Sequence, residues 1–138
     1  MVQIKPAAKR NLQRTLIIMV VYLVGIFGAQ YLIEDQGVSG PLAYALALVP
    51  GLAIAGIFWT SAKAIAETDD EFMRMLAVRQ HLIAAGFAMS VASVWGTLEM
   101  FELVPHVGAF YIVMLWAGGI FVGMIVNRVT HGVWGQCP

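Results

Sequence analysis

The stretch AETDDEFMRMLAVRQH (66–81) interrupts a chain that is otherwise strongly apolar, and its reading decides the fold. It carries acids, then bases, then a histidine, between two long runs of aliphatic and aromatic residues. Over the whole 138 residues, 60% are hydrophobic and 12% charged. An ordinary soluble domain carries about a quarter charged residues, so most of this surface is expected to face lipid. The zero net charge gives no support to direct nucleic-acid binding through a basic face.

On either side of the charged stretch, four apolar runs are long enough to cross a bilayer core, which takes roughly 20 helical residues. They cover Thr15–Ile33, Leu42–Thr60, His81–Val104 and Phe110–Val126. Lys9, Arg10 and Arg14 ahead of the first run imitate a signal peptide. Its apolar length exceeds the usual h-region of about 7–15 residues, so it reads as a retained span. The expected architecture is an all-α membrane protein forming one domain over 1–138: a four-helix up-and-down transmembrane bundle with a cytoplasmic extension of the third helix.

The basic residues set the orientation. Lys5, Lys9, Arg10 and Arg14 precede the first run, Lys63, Arg74 and Arg79 lie between the second and third, and Arg128 follows the fourth, which accounts for all 8 Lys and Arg. The segments Glu34–Gly40 and Pro105–Ala109 hold none. By the positive-inside rule both termini and the central connection are cytoplasmic, in what is read as a bacterial inner membrane.

Within the opening stretch, Thr68 and Glu71 have the spacing of a capping box, and Asp69, Asp70 and Glu71 place negative charge at the positive end of a helix dipole. The third helix is therefore expected from Asp69 to about Val104, roughly 54 Å at 1.5 Å per residue. A helical wheel puts Phe72, Met75, Leu76, Leu82 and Ile83 on one side, with Asp70, Arg74 and His81 on the other. Asp70 and Arg74 form an i, i+4 pair in the favourable order. Asp70, Glu71 and Arg74 make a candidate surface for a protein partner on the cytoplasmic side. Arg79 falls in the apolar stripe at the membrane boundary, where its side chain can reach headgroups.

Further along the same helix, Ala84, Ala88, Ala92 and Gly96 recur every four residues, and Gly119 and Gly123 make a GxxxG pair on the fourth. Small residues at this spacing allow helix backbones to approach closely in lipid. Pro50 in LVPG removes a backbone donor from the second span and frees the carbonyl of Leu46, so a kink that shapes packing is expected there.

Glu99 is the most informative single residue, because a carboxylate inside a span is costly unless paired, protonated or wet. It shares the inward face with His81, about 27 Å away. In WGTLEMFELVPH, Glu102 and His106 follow it, a weak pattern for a proton relay or an oxygen/nitrogen metal site. A structural hydrogen bond, to Trp95 or to a neighbouring helix, is the plainer reading. The sequence contains no phosphate loop, HExxH, CxxC or nucleophile–base arrangement, and it gives no positive sign of catalysis, a cofactor or a metal. The single Cys137 has no partner for an intramolecular disulfide.

The segments ETDDEFMRM, VWGTLE and VPH, in this order, resemble a group of small uncharacterised four-span membrane proteins of proteobacteria. The resemblance covers Glu67–Arg128. It implies a membrane partner for a helix-turn-helix regulator, since members are often encoded beside one, and it carries no catalytic residues with it. The function expected from residues and resemblance together is a non-enzymatic membrane regulatory or accessory subunit; the alternative is a small oligomeric proton-coupled transporter using Glu99. Either allows a homo-oligomer.

Overall fold

The computed structural model describes residues 6–134. The order is α1 (Pro6–Gln30), a π-helical turn (Tyr31–Asp35), α2 (Pro41–Ala66), α3 (Glu71–Met100) and α4 (Phe110–His131). All four helices are long and apolar enough to cross a membrane. Cys137 and Lys5 lie outside the described residues. The chain divides between Glu67 and Thr68 into two compact units, each a helical hairpin.

In the first hairpin α1 packs on α2. A Cβ built on Gly25 would lie 3.0 Å from Val49 Cγ1 and 3.4 Å from Pro50 Cδ, and one on Gly56 would lie 3.4 Å from Ile18 Cδ1. The facing partners run in opposite directions along the chain, so the helices are antiparallel. Pro50 sits inside an uninterrupted α2 and its ring is part of the contact surface for α1. The hairpin closes through the π turn, in which Gln36 N donates to Tyr31 O at 3.1 Å. Gly37 and Gly40, at φ 67° and 75°, then reverse the chain into Pro41, the first residue of α2.

The second hairpin pairs α3 with α4, and here the sequence expectation needs correcting at both ends of α3. The N-cap is Asp70 rather than Thr68, and the helix starts at Glu71 rather than Asp69. The Asp70 side chain accepts from Phe72 N at 2.9 Å and from Met73 N at 3.1 Å. Asp ranks above Thr as a cap, and its charge adds to the dipole interaction. At the other end the helix stops at Met100, short of Val104. Glu102 takes φ 57°, Leu103 N donates to Leu98 O at 3.0 Å, and Glu102 N donates to Glu99 O at 2.9 Å. This is the double closure of a Schellman motif, built with a glutamate where glycine is usual. The helix thus has 30 residues, about 45 Å.

The wheel also placed Leu76 with the wrong neighbours. Leu76 is fully buried with Ala77, Gln80, Ala84 and Ala88, whereas Phe72, Met75 and Leu82 are exposed. The buried row meets α4 at Gly119, Gly123 and Asn127, where two glycines let the backbones approach and Asn127 bonds Leu76 O.

Candidate functional site

The α3/α4 hairpin is tight at one end and open at the other, and this division positions every candidate residue. At the tight end, a Cβ on Gly119 would fall 2.7 Å from Ala84 Cα, and one on Gly123 would fall 2.8 Å from Gln80 O. Asn127, with no exposed surface, donates from Nδ2 to Leu76 O at 3.0 Å. Arg79 Nη1 donates to Thr130 Oγ1 at 2.9 Å, and the Phe72 and His131 rings meet edge to face at 5.9 Å. Ala84, Ala88, Gly119 and Gly123 therefore form one contact. Gln80 and Asn127 extend it by polar groups that the sequence reading did not single out. The signal was present: Gln80 precedes Ala84 by four residues, and Asn127 follows Gly123 by four.

These contacts fix the first ten residues of α3 against α4. Asp69, Asp70 and Glu71 remain exposed at its start. Within the suspected docking group, Arg74 pairs with Glu71 at 3.7 Å and not with Asp70, whose carboxylate is turned to the helix N-terminus. The pair is exposed and contributes little. His81, half-buried, donates from Nδ1 to its own helix at Ala77 O, 2.9 Å, and stacks at a tilt on Trp116, 5.7 Å between ring centres. It does not join Glu99.

Beyond Ala88 the helices separate. Ala92 is half-exposed and Gly96 exposed, and a Cβ on Gly96 or Gly118 would meet nothing within 4 Å. The expectation that Ala92 and Gly96 continue the packed row is corrected: they line an open apolar cleft of about 590 Å³. Gly119 and Gly123 permit close approach at the tight end, whereas towards the connecting loop the larger Leu115, Tyr111 and Ile112 of α4 line the cleft.

Glu99 closes that end of the cleft. Its Oε1 accepts from His106 Nδ1 and its Oε2 from Val107 N at 3.4 Å, so the carboxylate clasps the α3–α4 loop. The hydrogen bond expected to Trp95 is replaced by this pair, because the Schellman turn brings residues 105–107 back over the last turn of α3. Trp95 instead lines the cleft. The Glu99 side chain keeps 25% exposure and His106 keeps 83%. Glu102 points away and is exposed. Among the described residues no three His, Cys, Asp or Glu side chains gather as a metal site would require.

The fold and site define an all-helical chain with four helices long and apolar enough to span a membrane. No protein-family description, no curated protein and no solved structure matches it.

Proposed function

We propose that the chain is an integral membrane protein with four-span up-and-down topology and both termini cytoplasmic. In this reading it is a non-enzymatic regulatory or accessory subunit that presents the start of α3 to a protein partner. The carrying observation is the way α4 holds α3 from Leu76 to Ala88 while Asp69 and Glu71 stay exposed. A surface held rigid before binding loses little conformational entropy on docking. The acidic start also favours a protein over the membrane surface, since anionic headgroups repel Asp69, Asp70 and Glu71. A short helix-turn-helix regulator, the partner that the resemblance implies, is the first candidate.

The test uses a photoactivatable amino acid at Asp69 in living cells, with a second chain probed at Val94, which is exposed on the apolar part of α3. A discrete protein adduct is expected from Asp69 alone, and Glu71→Lys should abolish it at equal membrane level. Absence of an adduct from Asp69, or an adduct indifferent to the charge reversal, removes the docking role.

A second reading, a small oligomeric proton-coupled transporter using Glu99, is supported by the partial exposure of that carboxylate at the end of an open apolar groove.

A further inference from the structure

Three features stand outside the docking surface. The first is the pair of buried amide oxygens, Gln80 Oε1 and Asn127 Oδ1, which have no hydrogen-bond partner. The second is the shallow groove beside Arg74, Arg79 and Leu82 on the exposed side of α3. The third is the α3/α4 cleft. The groove carries both signs of charge, Glu71 beside Arg74 and Arg79, and so specifies no ligand, whereas the cleft joins room and an apolar lining to a single carboxylate.

Its volume of about 590 Å³ is that of a small-molecule site, and such sites are apolar with a few placed polar groups. Here the placed group is the Glu99 carboxylate. The lining contains no Lys or Arg. His106 bonds one carboxylate oxygen through Nδ1, and the cleft holds no side chain with a permanent positive charge. The two hydrogen bonds that Glu99 accepts use about half of a carboxylate's lone-pair capacity. Its remaining attraction is electrostatic, and it acts within apolar walls where water competes poorly. Trp95 and Tyr111 line the same cleft, and aromatic rings attract cations without hydrogen bonds.

We propose that the α3/α4 cleft binds a hydrophobic organic cation of the quaternary ammonium type, with Glu99 as its counter-ion and Trp95 and Tyr111 as aromatic walls. Charge complementarity selects this occupant. A lipid acyl chain would fill the volume but bring no positive charge to the carboxylate, and the aromatic lining favours a cation that needs no hydrogen bond of its own. The inference does not depend on docking at Asp69, since the cleft lies at the other end of the hairpin.

The experiment is equilibrium dialysis of benzyltributylammonium against the full chain in zwitterionic lipid nanodiscs at pH 8, with empty nanodiscs subtracted. The neutral amide N,N-dihexylbenzamide, with the same carbon count as the cation, is the matched control. One saturable site per chain is expected for the cation, with the amide at least ten-fold weaker. Glu99→Gln should weaken the cation at least ten-fold, while Glu102→Gln, outside the cleft, should leave it unchanged. Gly118→Leu retains the carboxylate and its loop bonds but fills the open space, so it should abolish binding even if Glu99→Gln does not fold. The proposal is overturned if the amide binds as well as the cation, if either Glu99→Gln or Gly118→Leu binds as wild type, or if no saturable uptake exceeds that of empty nanodiscs. The last result would mean that lipid or the rest of the chain fills the cleft.

Discussion

Gly119 lies so close to Ala84 that a Cβ added to it would fall 2.7 Å from the Ala84 Cα and 2.8 Å from its carbonyl oxygen. Both clashing atoms are backbone, which cannot swing aside as a side-chain end can. One residue earlier, Gly118 faces open space. The same substitution at the two positions should therefore have opposite signs. Gly119→Ala is expected to cost about 1–3 kcal/mol, the scale of overpacking, whereas Gly118→Ala should gain about 0.5–1 kcal/mol from the lower flexibility of the unfolded chain. Unfolding in mixed detergent micelles measures both, and a Gly119→Ala variant at least as stable as wild type would mean that the helices do not meet at this face.

Asn127 reaches across to Leu76 O from a fully buried position. Interhelical hydrogen bonds in membranes average about 0.6 kcal/mol and reach about 1.7, because the separated helices find other partners. Asn127→Ala should cost an amount in that range. A loss well above it, in the same unfolding assay, would assign Asn127 a larger part in the hairpin than one bond explains.

Asp70 and its neighbour Asp69 differ in structure although both are exposed acids. Asp70 caps α3 and Asp69 precedes the cap. Asp70→Ala should therefore cost about 1 kcal/mol and increase amide exchange at Phe72 and Met73, whereas Asp69→Ala should stay within about 0.5 kcal/mol. Matching effects at the two positions would contradict the assigned cap.

How much of this was legible in the sequence differs between the helices and their details. Four helices long and apolar enough to cross a membrane follow from run length alone, since a bilayer core takes about 20 apolar residues per helix. Ala84, Ala88, Gly119 and Gly123 were readable because small residues at four-residue spacing share one helix face. The wheel grouped Leu76 with Phe72 and Met75 because hydrophobicity alone does not separate a packed apolar residue from an exposed one. In an apolar solvent the packed face is marked by size instead, and Phe72, Met75 and Leu82 are left exposed. His106 was named beside Glu99 from the sequence, but the hydrogen bonds from His106 and Val107 to its carboxylate were not. They depend on Glu102 adopting a left-handed conformation, which carries no signal in a glutamate.

That conformation yields a prediction of its own. A non-glycine residue in the left-handed region costs about 1 kcal/mol relative to glycine, and Glu102 makes no hydrogen bond that stands out to offset it beyond the backbone closure itself. Glu102→Gly should stabilise the hairpin by roughly that amount, with the His106 to Glu99 hydrogen bond retained. A destabilisation on the same scale would show that the turn ending α3 is not the left-handed closure described.

The central claim is that the turn before α3 faces the cytoplasm while the loops at the far ends of both hairpins face outward. Ser39, in the α1–α2 loop, and Asp69, in the central turn, are both exposed. Single cysteines introduced as Ser39→Cys or Asp69→Cys, in a chain carrying Cys137→Ser, can be challenged in intact cells with a membrane-impermeant maleimide. The account predicts labelling at position 39 and none at 69 until the membrane is permeabilised. Labelling at 69 with protection at 39, or equal labelling at both before permeabilisation, would contradict it.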